Sequence, residues 1–218
     1  MTTSQPSSFA IRGVATGVSR LGLGGAPTGG HGWGARDDAA AASTIQAAID
    51  GGINFFDTAD VYGLGLAETI LGNVIAAMPG MRDALVLATK GGVAWDTTGR
   101  TRRDGSPKHL RNSLESSLRR LRTDCIDLYY LHWPDSSTAI DDSVGALTEF
   151  RSEGKVKAIG VCNIAPHQLR QLRWAALAAV QVKGNLLEPL ELISISDAAH
   201  DMGAAVICSS ALADGLLS

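Results

Sequence analysis

The chain has 218 residues, with 19 Lys and Arg against 22 Asp and Glu, a formal net charge of −3, and 45% hydrophobic residues. That balance gives no basic footprint for nucleic acid and suits a globular chain long enough to bury a substantial core, with one barrel domain expected over 1–218. No apolar run reaches the ~18 residues of a membrane span, and the polar segment 1–8 lacks the apolar stretch of a signal peptide.

In chain order, strand-like runs fall at 19–24, 54–58, 84–90, 126–132, 156–163, 179–183 and 204–209, with helical segments between them. Several are almost continuously apolar, as in Leu85-Val86-Leu87-Ala88, which fits parallel strands buried on both faces. Gly51-Gly52 and Gly203 read as stops before strands. Ser106-Pro107 reads as an N-cap followed by a first helical residue, and Leu110, Leu114, Leu118 and Leu121 then form one helical stripe. Asp141-Asp142 sit where the next helix's dipole favours acid, Gly154 is its expected stop, and Pro166 opens the helix after it. Cys125, Cys162 and Cys208 lie far apart, which argues against a disulfide framework or zinc site and predicts small buried thiols in a reducing cytoplasm.

Seven βα repeats predict an α/β parallel sheet, either an open doubly wound sheet or a TIM-type (β/α) barrel. Asp57, Lys90, His132 and Asn163 each close a different strand. In a barrel such ends converge on one mouth, whereas in an open sheet they would be spread along ~20 Å of edge. The expected fold is therefore a barrel, shortened to about seven βα units.

The stretch Asn54-Phe55-Phe56-Asp57-Thr58-Ala59-Asp60-Val61-Tyr62-Gly63, followed by Glu68 and Leu71-Gly72, resembles the signature of the aldo-keto reductase family. The resemblance extends in register over essentially the whole chain. It includes the entry Arg20-Leu21-Gly22-Leu23-Gly24-Gly25, the lysine in Thr89-Lys90-Gly91-Gly92, the histidine in Leu131-His132-Trp133-Pro134, and Gly160-Val161-Cys162-Asn163. It implies a catalytic set of Asp57, Tyr62, Lys90 and His132, with NADP(H) giving hydride to a carbonyl carbon while Tyr62 protonates the oxygen. The residue types make chemical sense by themselves. A free tyrosine has a pKa near 10, and a neighbouring lysine is expected to bring it towards the working range. Asp57 offsets the desolvation of Lys90, and His132 can donate to the substrate oxygen. Taken singly, Asp57 could cap a helix, Lys90 could be an ordinary strand-end lysine and His132 a core histidine; together at strand ends they point to a site. Trp33, Trp95 and Trp133 fall in loops at the same mouth, where they either pack the loops or form an apolar substrate wall. His31 and Asp60 read as ordinary loop residues, and no metal is expected.

For the cofactor, the resemblance implies Asn163 and Gln181 as carboxamide ligands, with Ser210 and Leu212 in the pyrophosphate loop. Cys162 replaces a serine, Ala211 a proline and Asp214 a common basic residue, while Gly184 stands where a tyrosine normally stacks on the nicotinamide. The family's eighth strand and following helix do not appear before Ser218, so either the chain is a fragment or open barrel edges are covered, with a homodimer one way to do so. Three functions follow as expectations: an NAD(P)H-dependent carbonyl reductase; a cofactor-independent dehydratase, isomerase or cyclase using Tyr62, Lys90 and His132; and a binding or regulatory protein with a relic pocket.

Overall fold

The computed structural model describes residues 8–14, 17–30 and 36–218. Seven parallel strands, β1 (Gly22–Gly24), β2 (Phe55–Asp57), β3 (Val86–Gly91), β4 (Ile126–Leu131), β5 (Val156–Cys162), β6 (Ala179–Lys183) and β7 (Ala205–Ser209), pair in sequence order. They form a nearly closed barrel; among the described residues β1 and β7 each pair on one side only. Helices α1 (Asp38–Asp50), α2 (Leu66–Ala76), α3 (Pro107–Leu121), α4 (Ile140–Ser152), α5 (Pro166–Gln171) and α6 (Leu190–Asp201) wrap the outside. None of them is long and apolar enough to cross a membrane.

Alternation along the strands sorts the side chains into two cores. Phe55, Val86, Ala88, Leu128, Tyr130, Ala158, Cys162, Ala179 and Ile207 fill the barrel. Phe56, Leu87, Tyr129, Leu131, Ile159, Val161, Val180 and Val182 point outward into the layer built by the helices. Glycine permits two close approaches. A Cβ on Gly160 would lie 2.6 Å from the ring of Tyr130, which occupies the space inside the barrel. A Cβ on Gly72 would strike the backbone of Arg120, so the glycine lets α2 lie against the end of α3.

The helix signals hold locally. Ser106 caps α3 by accepting from His109 N, Leu110 and Leu114 are fully buried, and Gly154 and Gly203 take the left-handed backbone that ends helices. Two hairpins add to the predicted strands. One pairs Ser8–Phe9 with Val18–Ser19, and Ile11 and Val18 join the inner core. The other pairs Val93–Trp95 with Thr101–Arg103, directly beyond β3. The expectation of buried thiols holds for Cys162 alone; Cys125 is half-buried and Cys208 exposed, because β7 is an edge strand.

Candidate active site

Lys90, fully buried at the end of β3, donates to Asp57 Oδ1 at 2.5 Å and to the Thr58 carbonyl at 2.7 Å. Asp57, at the end of β2, uses its other oxygen to accept from Gln181 Nε2 of β6 at 2.9 Å. One carboxylate thus joins the barrel's lysine to its amide. Tyr62 follows β2 in a short turn, where Gly63 takes a left-handed φ of 58° and packs against Gly29. Its ring lies 5.3 Å from Lys90 Nζ and meets the His132 ring edge-on at 5.8 Å between centroids. Asn163, also left-handed, donates Nδ2 to the His132 carbonyl at 2.9 Å, tying the ends of β4 and β5 together. The four residues singled out in the sequence, with Asn163 and Gln181, are therefore gathered at one mouth.

The protonation states follow from burial. Desolvation, reinforced by the Lys90 charge, lowers the His132 pKa to about 3, so the imidazole is neutral and carries one N–H. Its Nδ1 is buried without a partner among the described residues. Burial would lower the pKa of Lys90, but Asp57, then Tyr62 and Cys162, reverse the direction and keep it an ammonium. Tyr62 corrects the sequence-based expectation. Lys90 does lower its pKa, but burial outweighs that, and the net shift is upward from the ordinary value near 10. The hydroxyl therefore keeps its proton at neutral pH.

Other expected residues are distributed differently. Trp95 and Trp133 are half-buried at the mouth, and the guanidinium of Arg103 stacks 4.2 Å from the centre of the Trp133 ring. Trp33 and His31 lie outside the described residues. Ser210 and Leu212 sit in the turn after β7, Ser210 with a left-handed φ of 51° and Leu212 exposed. Asp214, in the same turn, lies near Lys183, which pairs with Glu188 at 2.5 Å. Gly184 requires a correction. A Cβ there would lie 3.3 Å from Leu192 and 3.4 Å from Cys208 Sγ, so position 184 faces α6 rather than the mouth, and its glycine removes no ring from the site.

Asp60 does lie in the turn after β2, but it is no ordinary loop residue: its side chain is buried beside a second polar cluster. Ser113 of α3 donates to its Oδ2 at 2.7 Å, while Glu68 of α2 accepts from Thr89 at 2.6 Å and from Arg120 at 2.6 Å. Burial raises the Asp60 pKa from 3.8 to about 7. The folded state therefore holds this proton more tightly than the unfolded chain. Its contribution to stability is full below about pH 4 and is lost as pH rises through about 7. Asp60→Asn is expected to flatten that decline in urea-unfolding midpoints measured from pH 4 to 8; an unchanged slope would refute the assignment.

The aldo/keto reductase family model matches residues 20–218. An aldo-keto reductase of Bacillus subtilis, YhdN, is 37% identical over 202 residues, 92% of this chain and 60% of that protein. The NADH-specific methylglyoxal reductase of Escherichia coli is 34% identical over 92% of this chain and 66% of its own length. Among solved structures, the glycerol dehydrogenase AKR11B4 of Gluconobacter oxydans superposes with a TM-score of 0.88 at 38% identity, covering all of this chain and 66% of that one. The chain thus spans about three fifths to two thirds of the length of these relatives.

Proposed function

Because the chain belongs to the aldo/keto reductase family, we propose that it reduces a carbonyl compound with a nicotinamide dinucleotide, Tyr62 acting as general acid. The carrying observation is the buried group in which Lys90 is held by Asp57 while the neutral His132 and Lys90 both flank the Tyr62 ring. The residues present fit the cofactor's amide end. Gln181 and Asn163 put two side-chain amides at the mouth beside the lysine–aspartate pair, and they would hold the carboxamide. When bound, the nicotinamide supplies hydride to the carbonyl carbon. Tyr62 gives its proton to the carbonyl oxygen, and Lys90 stabilises the resulting phenolate. His132, neutral, donates its N–H to the same oxygen and fixes the carbonyl's direction.

The orientation of Gly184 removes one argument for the cofactor-independent reading, since a side chain at that position would start out towards α6. Tryptophan quenching by NADH and by NADPH, followed by oxidation of either on a panel of aldehydes, tests the proposal. Turnover that needs no nicotinamide would replace it with the cofactor-independent reading. A second measurement concerns pH. With His132 neutral down to about pH 3 and Tyr62 raised, the single-turnover rate is expected to show no step near pH 6.5, where an ordinary histidine titrates.

A further inference from the structure

We propose that Arg103 is a specificity-determining residue that binds an anionic group, carboxylate or phosphate, on the carbonyl substrate. The inference rests on the reductase reading for the reaction, but on separate observations for the anion. Arg103 closes the hairpin beyond β3, opposite Val93, and the next residue, Asp104, donates its N–H to the Gly92 carbonyl at 3.0 Å. The arginine is thereby anchored at the mouth, two and three residues beyond Lys90 in register. Its guanidinium stacks on Trp133, the neighbour of His132 in the chain. Stacking lays the planar fork over an apolar ring, and among the described residues no carboxylate pairs with its N–H groups.

Arg103 itself has no salt-bridge partner among the described residues. The chain's 22 acidic residues all lie among the described residues, and none forms an ion pair with Arg103. The carboxylates on either side of Arg103 in sequence, Asp104 and Asp96, and the one that follows Trp133, Asp135, are already engaged. Asp104 takes Arg102 at 2.7 Å and the Ser106 hydroxyl at 2.7 Å. Asp135 accepts backbone N–H groups from Gly105, Ser137 and Thr138. Asp96 is occupied within its own turn by Thr98 and Arg100 N–H groups. An exposed arginine stacked on an aromatic ring, with no acid paired to it, in a hairpin beside the barrel mouth, is suited to bidentate capture of an anion.

Two substrate pairs separate charge from shape: 4-carboxybenzaldehyde against methyl 4-formylbenzoate, and glyceraldehyde 3-phosphate against glyceraldehyde. Binding is read first by tryptophan quenching, with and without saturating NADPH or NADH, and turnover second. The acid is expected to bind more tightly than the ester, and Arg103→Met to cut that preference roughly tenfold, as loss of a charge-assisted pair should. Arg103→Lys, which keeps the charge but not the fork, should fall between. The phosphate pair shows which anion is preferred. Equal binding of acid and ester, or a preference untouched by Arg103→Met, overturns the inference. Ester reduction alongside such a result would leave the reductase reading intact. Anion preference in binding without nicotinamide-dependent turnover would instead overturn that reading and keep this one.

Discussion

Tyr62→Phe is expected to lower the turnover of nicotinamide-dependent carbonyl reduction by ~10²–10⁴-fold, the usual range for losing a positioned general acid, with nicotinamide affinity nearly unchanged. The substitution removes one hydroxyl and keeps the ring. The edge-on contact with His132 and the approach of Lys90 to the ring both survive, so the fold has no reason to change. Nor can a neighbour replace the donor. His132 is neutral and could offer only its imidazole N–H, a far weaker acid, while the pairing with Asp57 raises the pKa of Lys90 and makes its ammonium a reluctant proton donor. Single-turnover kinetics with matched circular dichroism checks this. A loss under tenfold in a folded variant would show that the proton comes from elsewhere.

The largest effect on stability is expected from Arg120→Met. Glu68 has no exposed side-chain surface and is held by Arg120, itself about a fifth exposed, and by the Thr89 hydroxyl. Removing the guanidinium leaves a buried carboxylate with one neutral hydrogen bond, and breaking such a pair from one side costs about 3 kcal/mol or more. Removing both charges should hurt less. In urea unfolding, Glu68→Gln combined with Arg120→Met is expected to be more stable than Arg120→Met alone. If the double variant is the less stable of the two, the loss at Arg120 comes from packing along α2 and α3 and not from charge.

Much of the site was legible because its polar residues close apolar strands. Asp57, Lys90, His132 and Asn163 interrupt runs that otherwise read as core, and the parallel order of the strands brings those ends together. The orientation of position 184 was legible too, by counting. If Gln181 faces the barrel, 183 does and 184 does not, since strand side chains alternate. Resemblance to a tyrosine position obscured that parity. Asp60 was not legible. Its burial depends on Ser113, 53 residues later, and no local pattern announces a partner on another helix. The hairpin ending at Arg103 was hidden for a different reason: its return strand, Thr101-Arg102-Arg103, is exposed throughout and has no apolar alternation to mark it. The pKa of Tyr62 turned on burial, which a list of neighbouring charges does not contain.

On β3, Thr89 reaches out to Glu68 and Lys90 reaches in to Asp57. The strand therefore carries its own check on alignment. Shifted by a single residue, it would send an ammonium into the apolar layer beneath the helices and a hydroxyl into the mouth, stranding both carboxylates at once. Misaligned chains would thus lose both buried pairs together, so a stably folded chain is one in which the site is assembled.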